Sequence, residues 1–470
     1  MASEPAPAMP FDEEQPADDA LRERYADTLA ALQAAGLEAL AHAIEDHLER
    51  AGVTFAGEPF VVDPVPRLIS AGEWERLETG LAQRTRALNA FLHDAYGERR
   101  IVAAGLVEAG VLDGAEGYEP ELAGRLPRHA APAAIIGFDL VREPGGEFLV
   151  VEDNLRTPSG LAYLLAARAA LQAVLPAGLA QPRPVQPAVF ASLADTLHAA
   201  APESTRGEPH TPQAVVVTDG PGNTAYYEHA RLAEGLEAPL VIPADLLGEG
   251  DRLYVRLPDG SVRRVDVVYR RTDEDRIRDE HGRMTEIARL LLPAWLAGEI
   301  GLVNAFGNGV ADDKLVHAHV EDFVRFYLEE EPLVRSVPTL PLEAALGDEP
   351  AARLRELVVK PRHGHGGRGV TIGSKTDAAD LRRIAQELSD QPGDYIAQPI
   401  VPLSRHPTVI DGRLEPRHVD LRPFAFCTGE EVRLAPGALS RVAFDAGEMV
   451  VNSSQNGGGK DTWVLDEPRG

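Results

Sequence analysis

Asp139, Glu152 and Asn154 lie on or beside two apolar runs, Ala133–Val141 and Phe148–Val151, that flank a Pro144-Gly145-Gly146 turn. Paired as an antiparallel hairpin centred on Gly145-Gly146, the runs set Asp139 opposite Glu152, and directly opposed residues project on one face. Glu152 and Asn154, two apart, share that face, whereas Asp153 points away. Two carboxylates and a carboxamide meeting there form an all-oxygen set of the kind Mg²⁺ takes together with substrate phosphates. Opposed like charges repel unless a cation lies between them. Spacing alone leaves two readings open, a metal site and an ordinary solvated hairpin face.

A second group follows an apolar strand, Leu357-Val358-Val359, that ends in Lys360. Next come Pro361-Arg362-His363-Gly364-His365-Gly366-Gly367-Arg368-Gly369 and the β-type Val370-Thr371-Ile372. Gly364, Gly366 and Gly369 satisfy G-x-G-x-x-G, but the dinucleotide-binding form of that pattern needs a helix next. Strand, glycine-rich turn and strand read instead as a flap whose backbone N–H groups can close over phosphates. The chain carries no G-x-x-x-x-G-K-[ST], no H-R-D and no D-F-G, and its lysine precedes the loop. The alternative is a hairpin tip using glycine for turn geometry alone.

These residues stand in order with longer segments. They are Glu152-Asp153-Asn154-Leu155-Arg156-Thr157-Pro158-Ser159-Gly160, Val310-Ala311-Asp312-Asp313-Lys314, Val359-Lys360-Pro361, Arg417-His418-Val419-Asp420-Leu421-Arg422, and Val451-Asn452-Ser453-Ser454-Gln455 through Lys460-Asp461-Thr462-Trp463. Together they resemble the circularly permuted ATP-grasp proteins, which are similar to the synthetase domain of glutathionylspermidine synthase. The resemblance runs from about Arg67 to Val464. It implies that Asp139, Glu152 and Asn154 bind magnesium and that Lys314 and Lys360 hold ATP phosphates. It further implies a covering loop with Gly364, Gly366, Gly367 and Gly369, and an adenine-side hinge from Gln398 to Ile400. Thr157 and Ser159 would lie by the acceptor or the phosphate. The synthase has an arginine two residues before its first metal carboxylate, where this chain has Gly137. An arginine for an acyl phosphate must then come from elsewhere, Arg422 being first choice and Arg156 second.

Other residues carry weaker signals. His418, Asp420 and Arg422 have strand spacing; a planar guanidinium at Arg422 suits a carboxylate or phosphate, with an Asp420–Arg422 salt bridge as the alternative. His317 and His319 fall two apart on a helix and face different ways, against a shared metal. His363 and His365 contact phosphate or face solvent. Arg270 and Arg271 end a β run, where one of them, Arg270 as the named candidate, would reach a substrate carboxylate; the alternative is a surface cluster with Asp273, Glu274 and Asp275. Asn452, Ser453, Ser454 and Lys460 read as a C-terminal loop, with Asn452 and Lys460 as substrate candidates. Cys427, the single cysteine, sits in the apolar run Pro423–Cys427 and reads as a small buried hydrophobe.

The elements that must position these groups follow from pattern. Residues 1–20 are acidic and Pro/Ala-rich, without the basic-then-apolar order of a signal peptide, and read as a disordered tail. Residues 21–132 read as a helical region, with Leu77, Leu81, Leu88 and Leu92 at helical spacing. Residues 133–204 carry the hairpin and a helix at Gly160–Val174. Residues 205–310 read as an α/β substrate domain, with a strand at Ala214–Thr218 and a hairpin over Val255–Arg271 turning at Pro258-Asp259-Gly260. Residues 311–470 supply the nucleotide lid and the rest of the core. The fold expected is α/β (α+β): a circularly permuted ATP-grasp with an N-terminal helical region.

The 470 residues carry 46 basic against 74 acidic side chains, a formal charge of −28. That field repels nucleic acid and anionic membranes at long range. No apolar run is long enough to span a bilayer, and the reading is cytoplasmic. The sequence does not give the oligomeric state. The function expected is an ATP- and Mg²⁺-dependent ligase joining a small-molecule or peptide carboxylate to an amine through an acyl phosphate. The alternatives are a non-catalytic ATP-binding partner in a larger assembly, and a phosphotransferase that stops at the phosphorylated product.

Overall fold

The computed structural model describes residues 9–127, 131–206, 212–346, 350–364, 369–390, 392–429, 431–449 and 457–466. At its centre is a five-stranded sheet in the order 335–336, 148–154, 135–142, 424–427, 432–434. Every residue of the strand Ile135–Arg142 is buried, so both faces of the sheet are covered. Alternation assigns the faces. Ile136, Phe138 and Leu140 join the core built on the helix Ala71–Ala95. Gly137, Asp139 and Val141 look the other way. The long helix starts where Ser70 Oγ accepts from Glu73 N, and its Leu77, Leu81, Leu88 and Leu92 are buried as their spacing demands.

A second, antiparallel sheet in the order 340–341, 395–399, 357–361, 371–372 carries Lys360. The helices Leu342–Leu346, Pro350–Leu354 and Ala378–Asp390 share its own apolar core. A third sheet joins distant parts of the chain: Ala438–Ala443 pairs antiparallel with Gly457–Leu465, which runs parallel to Arg67–Ser70. A fourth is wholly parallel, in the order 301–303, 267–271, 214–218, 240–241.

Three expectations need correction. The segment Asn452–Lys460 was expected to be loop throughout, but Gly457–Leu465 is a strand. A Cβ on Gly458 or Gly459 would strike the Phe444 or Phe60 ring, so the glycines there admit close packing. The Val255–Arg271 hairpin turns where expected, with Leu257 N donating to Ser261 O, but returns only over Val262–Arg264. The chain then leaves for the parallel sheet. The first twenty residues are not uniformly a tail, because Glu13 is 1% exposed, bound to Arg67 and to Arg142. Phe11 lies over the Arg142 guanidinium, which is 4.8 Å from its ring centre. A single carboxylate facing two buried cations outweighs a composition that favours disorder.

Candidate active site

The hairpin pairs Asp139 with Glu152 and Gly137 with Asn154. The expected pair forms by a different route. Glu143 N donates to Glu147 O and Gly146 N to Glu143 O, which centres the turn on Gly145. The ladder from Arg142–Phe148 to Leu140–Val150 keeps that centre, and the register shifts between Leu140 and Asp139. Val151 is thus the extra residue of a bulge, a device that re-aims the side chains beyond it. Gly137 has no room for a side chain, since a Cβ would lie 3.0 Å from Pro158 and 3.3 Å from Phe424.

Two arginines fill the charge gap, Arg422 from just before the strand Phe424–Cys427 and Arg441 from the strand Ala438–Ala443. Arg422 binds Asp139 with both arms of its fork, at 2.6 and 2.7 Å. Arg441 adds a contact of 2.8 Å to Asp139 and grips Asp420 through Nε at 2.8 Å. Asp420 therefore pairs with Arg441, not Arg422. Burial works to raise the Asp139 pKa, but the two guanidiniums outweigh it and hold the carboxyl well below the usual range.

Across from the hairpin, Lys314 Nζ donates to the carbonyl of Gly364 at 2.8 Å and stands 3.8 Å from Glu152 Oε1. Burial depresses the Lys360 ammonium; Glu152 and Asp139 oppose the shift, and Lys314 and Arg441 add to it. Glu152 thus has Lys314 beside it and lies within electrostatic range of Lys360, which comes from a different part of the fold. Asn154 Nδ2 donates to Gly137 O at 3.2 Å, so its carboxamide oxygen is the end left for a ligand.

The donor chemistry fits Mg²⁺ in part. Glu152 and Asn154 offer a carboxylate and a carboxamide oxygen on one sheet face, which suits a hard cation completed by phosphates. Asp139 can join them only by releasing a guanidinium. Among the described residues, no group of three or more His, Cys, Asp or Glu side chains is placed to hold a metal.

The loop after Asn154 is fastened partly by residues that sequence reasoning gave no role, Asp312, Asn304, Asn308 and Glu228. Leu155 N donates to Asp312, and Arg156 Nε reaches Asp312 at 2.8 Å. The Leu155 carbonyl accepts from Asn304 and Asn308, both at 2.6 Å. Glu228 accepts from Gly160 N and Ala162 N, capping the helix Leu161–Val174. Arg271 ties Glu228 to the carbonyl of Pro158. The Ser159 carbonyl accepts from Arg422 at 3.0 Å, which brings this loop against the Asp139 cluster. Thr157 is half-buried in the same loop. The available signal was polar residues in an apolar setting, as in Val303-Asn304-Ala305-Phe306.

Other candidates are engaged elsewhere. Lys460 is fully buried, bound to Asp63 and to Pro407 O, so it presents no charge to a substrate. Arg270 is 1% exposed, held by the carbonyls of Asp275 and Ala305 with its guanidinium carbon 4.5 Å from the centre of the Phe306 ring. Arg156 is committed to Asp312, with Asp275 3.7 Å away. Arg362, at the start of the glycine-rich segment, is buried on Asp313 and Val111 O. His317 is bonded to Asp153. Gln398 spends its amide on Thr339, and Ile400 N donates to Glu356 O. Ile400 nevertheless lines a cavity of about 430 Å³ with Leu149, Ser336, Pro399 and Val401. Leu149 pairs with Val141, on the Asp139 side of the sheet. Gly369 has φ +74 and lies against Pro361. Gly366, Gly367 and Asn452 lie outside the described residues.

A family model for circularly permuted ATP-grasp type 2 proteins matches residues 66–443, and the chain belongs to that family. An uncharacterized protein of Mycobacterium tuberculosis (strain ATCC 25618 / H37Rv) is 40% identical over 470 residues, covering 97% of this chain and 84% of its own. One of Synechocystis sp. is 41% identical over 413 residues, covering 86% and 84%. A Frankia alni protein named "Putative glutamate--cysteine ligase 2-3" is 42% identical over 468 residues, covering 97% of this chain but 54% of its own length. No helix among the described residues is long and apolar enough to cross a membrane.

Proposed function

We propose that the protein is an ATP-dependent ligase that joins a carboxylate to an amine. The observation that carries this reading is Lys314, set between Glu152 and the Gly364 carbonyl, with Lys360 in electrostatic range of the same carboxylate. The family supports ATP as the co-substrate. The Frankia name supports carbon–nitrogen ligation, but this chain spans about half of that protein, so its substrates do not transfer.

Glu152 and Asn154 would hold Mg²⁺, with Asp139 joining once freed. Magnesium held there would supply positive charge to the nucleotide phosphates. Lys314 and Lys360 add positive charge at the phosphates, and the loop's backbone N–H groups close over them. The base would take the cavity at Ile400, whose lining sets Leu149 and Val401 beside Glu143, Glu321, Arg335 and Ser336. The substrate carboxylate oxygen attacks the γ-phosphorus and the bond to ADP breaks, leaving an acyl phosphate. The amine nitrogen then attacks the acyl carbon, phosphate leaves, and the amine loses a proton. Arg422, at the join of the Asp139 cluster and the Ser159 loop, answers the charge that develops.

One observation favours a second reading, ATP binding without chemistry. Asp139 and Arg422 neutralise each other, so the carboxylate for the metal and the cation for the acyl phosphate are both engaged. ADP release screened against pooled carboxylates and amines, with mass spectrometry for the condensed product, decides between them. Tight ATP binding with no ADP from any pool would establish the binder.

A further inference from the structure

Neighbours on a strand point to opposite faces, so Glu152 enters the cleft while Asp153 enters the core. Asp153 is fully buried there. Its carboxylate takes both arms of Arg84, at 2.6 and 2.7 Å, and lies 2.7 Å from His317 Nδ1. Arg84 also reaches Ser336 Oγ at 3.0 Å, on the next strand of the sheet. His317 closes the four-residue helix that Lys314 opens. Lys314 returns to within 3.8 Å of Glu152. The path from Glu152 through Asp153, His317 and Lys314 back to Glu152 is closed.

A helix of one turn has almost no stability of its own. Its first end is capped by Asp313, which accepts from Leu315 N and Val316 N. Its last end is tied to the sheet by His317. Both arms of Arg84 donate to Asp153, and a carboxylate so paired only accepts, so the hydrogen between Asp153 and His317 belongs to Nδ1. The other ring nitrogen, Nε2, is buried with no hydrogen-bond partner, an unfavourable arrangement that a leucine would avoid. What the histidine supplies in return is its Nδ1–H.

We propose that His317 is a positioning residue: its bond to Asp153 sets the rotation and height of the helical turn, and so places the Lys314 ammonium between Glu152 and the Gly364 carbonyl. The inference rests on the nucleotide reading above.

Calorimetry of MgATP binding to the full chain tests it through a double-mutant cycle. His317→Leu should weaken MgATP binding about fivefold and Lys314→Met about tenfold, sizes common for groups that act together. His317→Leu should then cost nothing further in the Lys314→Met background. Losses that multiply in the double variant, or no loss from His317→Leu, would overturn the proposal. Should the leucine variant not fold, His317→Asn and His317→Gln replace it. The Asn amide takes the place of Nδ1 and should hold the affinity, while Gln mimics Nε2 and should lose it; equal affinities would again overturn the proposal. Wild-type protein that binds no MgATP removes the nucleotide reading and this inference together. Binding with independent losses removes this inference alone.

Discussion

The Lys314 ammonium lies 2.8 Å from the carbonyl of Gly364 and 3.8 Å from a carboxylate oxygen of Glu152. One flexible side chain therefore touches both walls of the cleft, the rim of the glycine-rich loop and the bulged hairpin. Removing it should act on both walls. Lys314→Met should raise amide hydrogen exchange at Gly364 without nucleotide and slow it less when MgATP is added. Unchanged exchange in both states would separate Lys314 from the loop.

Glu152 and Asp153 should fail in different ways. Glu152→Gln removes a half-buried carboxylate whose nearest cation, Lys314, is 3.8 Å away, so stability should change by no more than about 1 kcal/mol while metal-dependent ATP turnover is nearly lost. Asp153→Asn leaves Arg84 buried without its counter-charge and should cost about 3–5 kcal/mol of stability. Denaturant unfolding and ADP release, measured on both variants, check the split. Similar stability losses in the two would contradict the faces assigned here.

Arg422→Lys keeps a charge but loses the planar fork that grips Asp139. Turnover should fall tenfold to a hundredfold, about 1.4–2.7 kcal/mol of transition-state stabilisation, with ATP affinity little changed. Parallel losses in affinity and turnover would make Arg422 a nucleotide ligand instead.

Glu13→Gln should be as harmful as a core substitution despite its place near the start of the chain. Arg67 and Arg142 are nearly inaccessible, and Glu13 binds them both. An expected loss of about 3–5 kcal/mol is readable as a lowered midpoint of thermal or urea unfolding. A midpoint within experimental error of wild type would show the pair to be dispensable.

Acid should weaken the fold partly through His229. Burial, with the Arg271 charge adding to it, lowers this imidazole from 6.5 to about 3. The unfolded chain therefore binds a proton below about pH 6.5 that the folded one refuses until about pH 3. Stability from this source is whole above that window and is lost as pH falls through it. Any stability cost of His229→Asn should accordingly shrink by about 2 kcal/mol between pH 7 and pH 5. A cost that stays constant would place the proton elsewhere.

The facing of Asp139 and Glu152 was legible because strand side chains repeat every two residues and the turn announces itself through glycine. Lys360 was legible as the polar end of an apolar run. The bulge at Val151 was invisible, since a ladder shift leaves no compositional trace. Glu13 was hidden by averaging, because one structural carboxylate inside an acidic, proline-rich stretch does not change its character. Arg441, Glu228 and Asn304 were missed for a different reason. Each acts on a partner more than sixty residues away, and pattern reading has no term for such distances. Arg270 and Lys460 looked available because charge suggests exposure, and both are instead buried, Lys460 on Asp63 and Arg270 on two backbone carbonyls.

The pairing of the Gly457–Leu465 strand with Arg67–Ser70 sets a timetable for synthesis. Asp63 and Lys460, the ion pair beside that junction, are 397 residues apart in the chain. At roughly 5–20 residues per second, the ribosome needs about 20–80 s to make the lysine after the aspartate. Through that interval the early strand has no partner on its parallel side and Asp63 has no cation to enter the core with. The third sheet must therefore close after nearly all the chain has emerged, and fragments stopping before Gly457 should be handed to chaperones or proteases with Asp63 still in water.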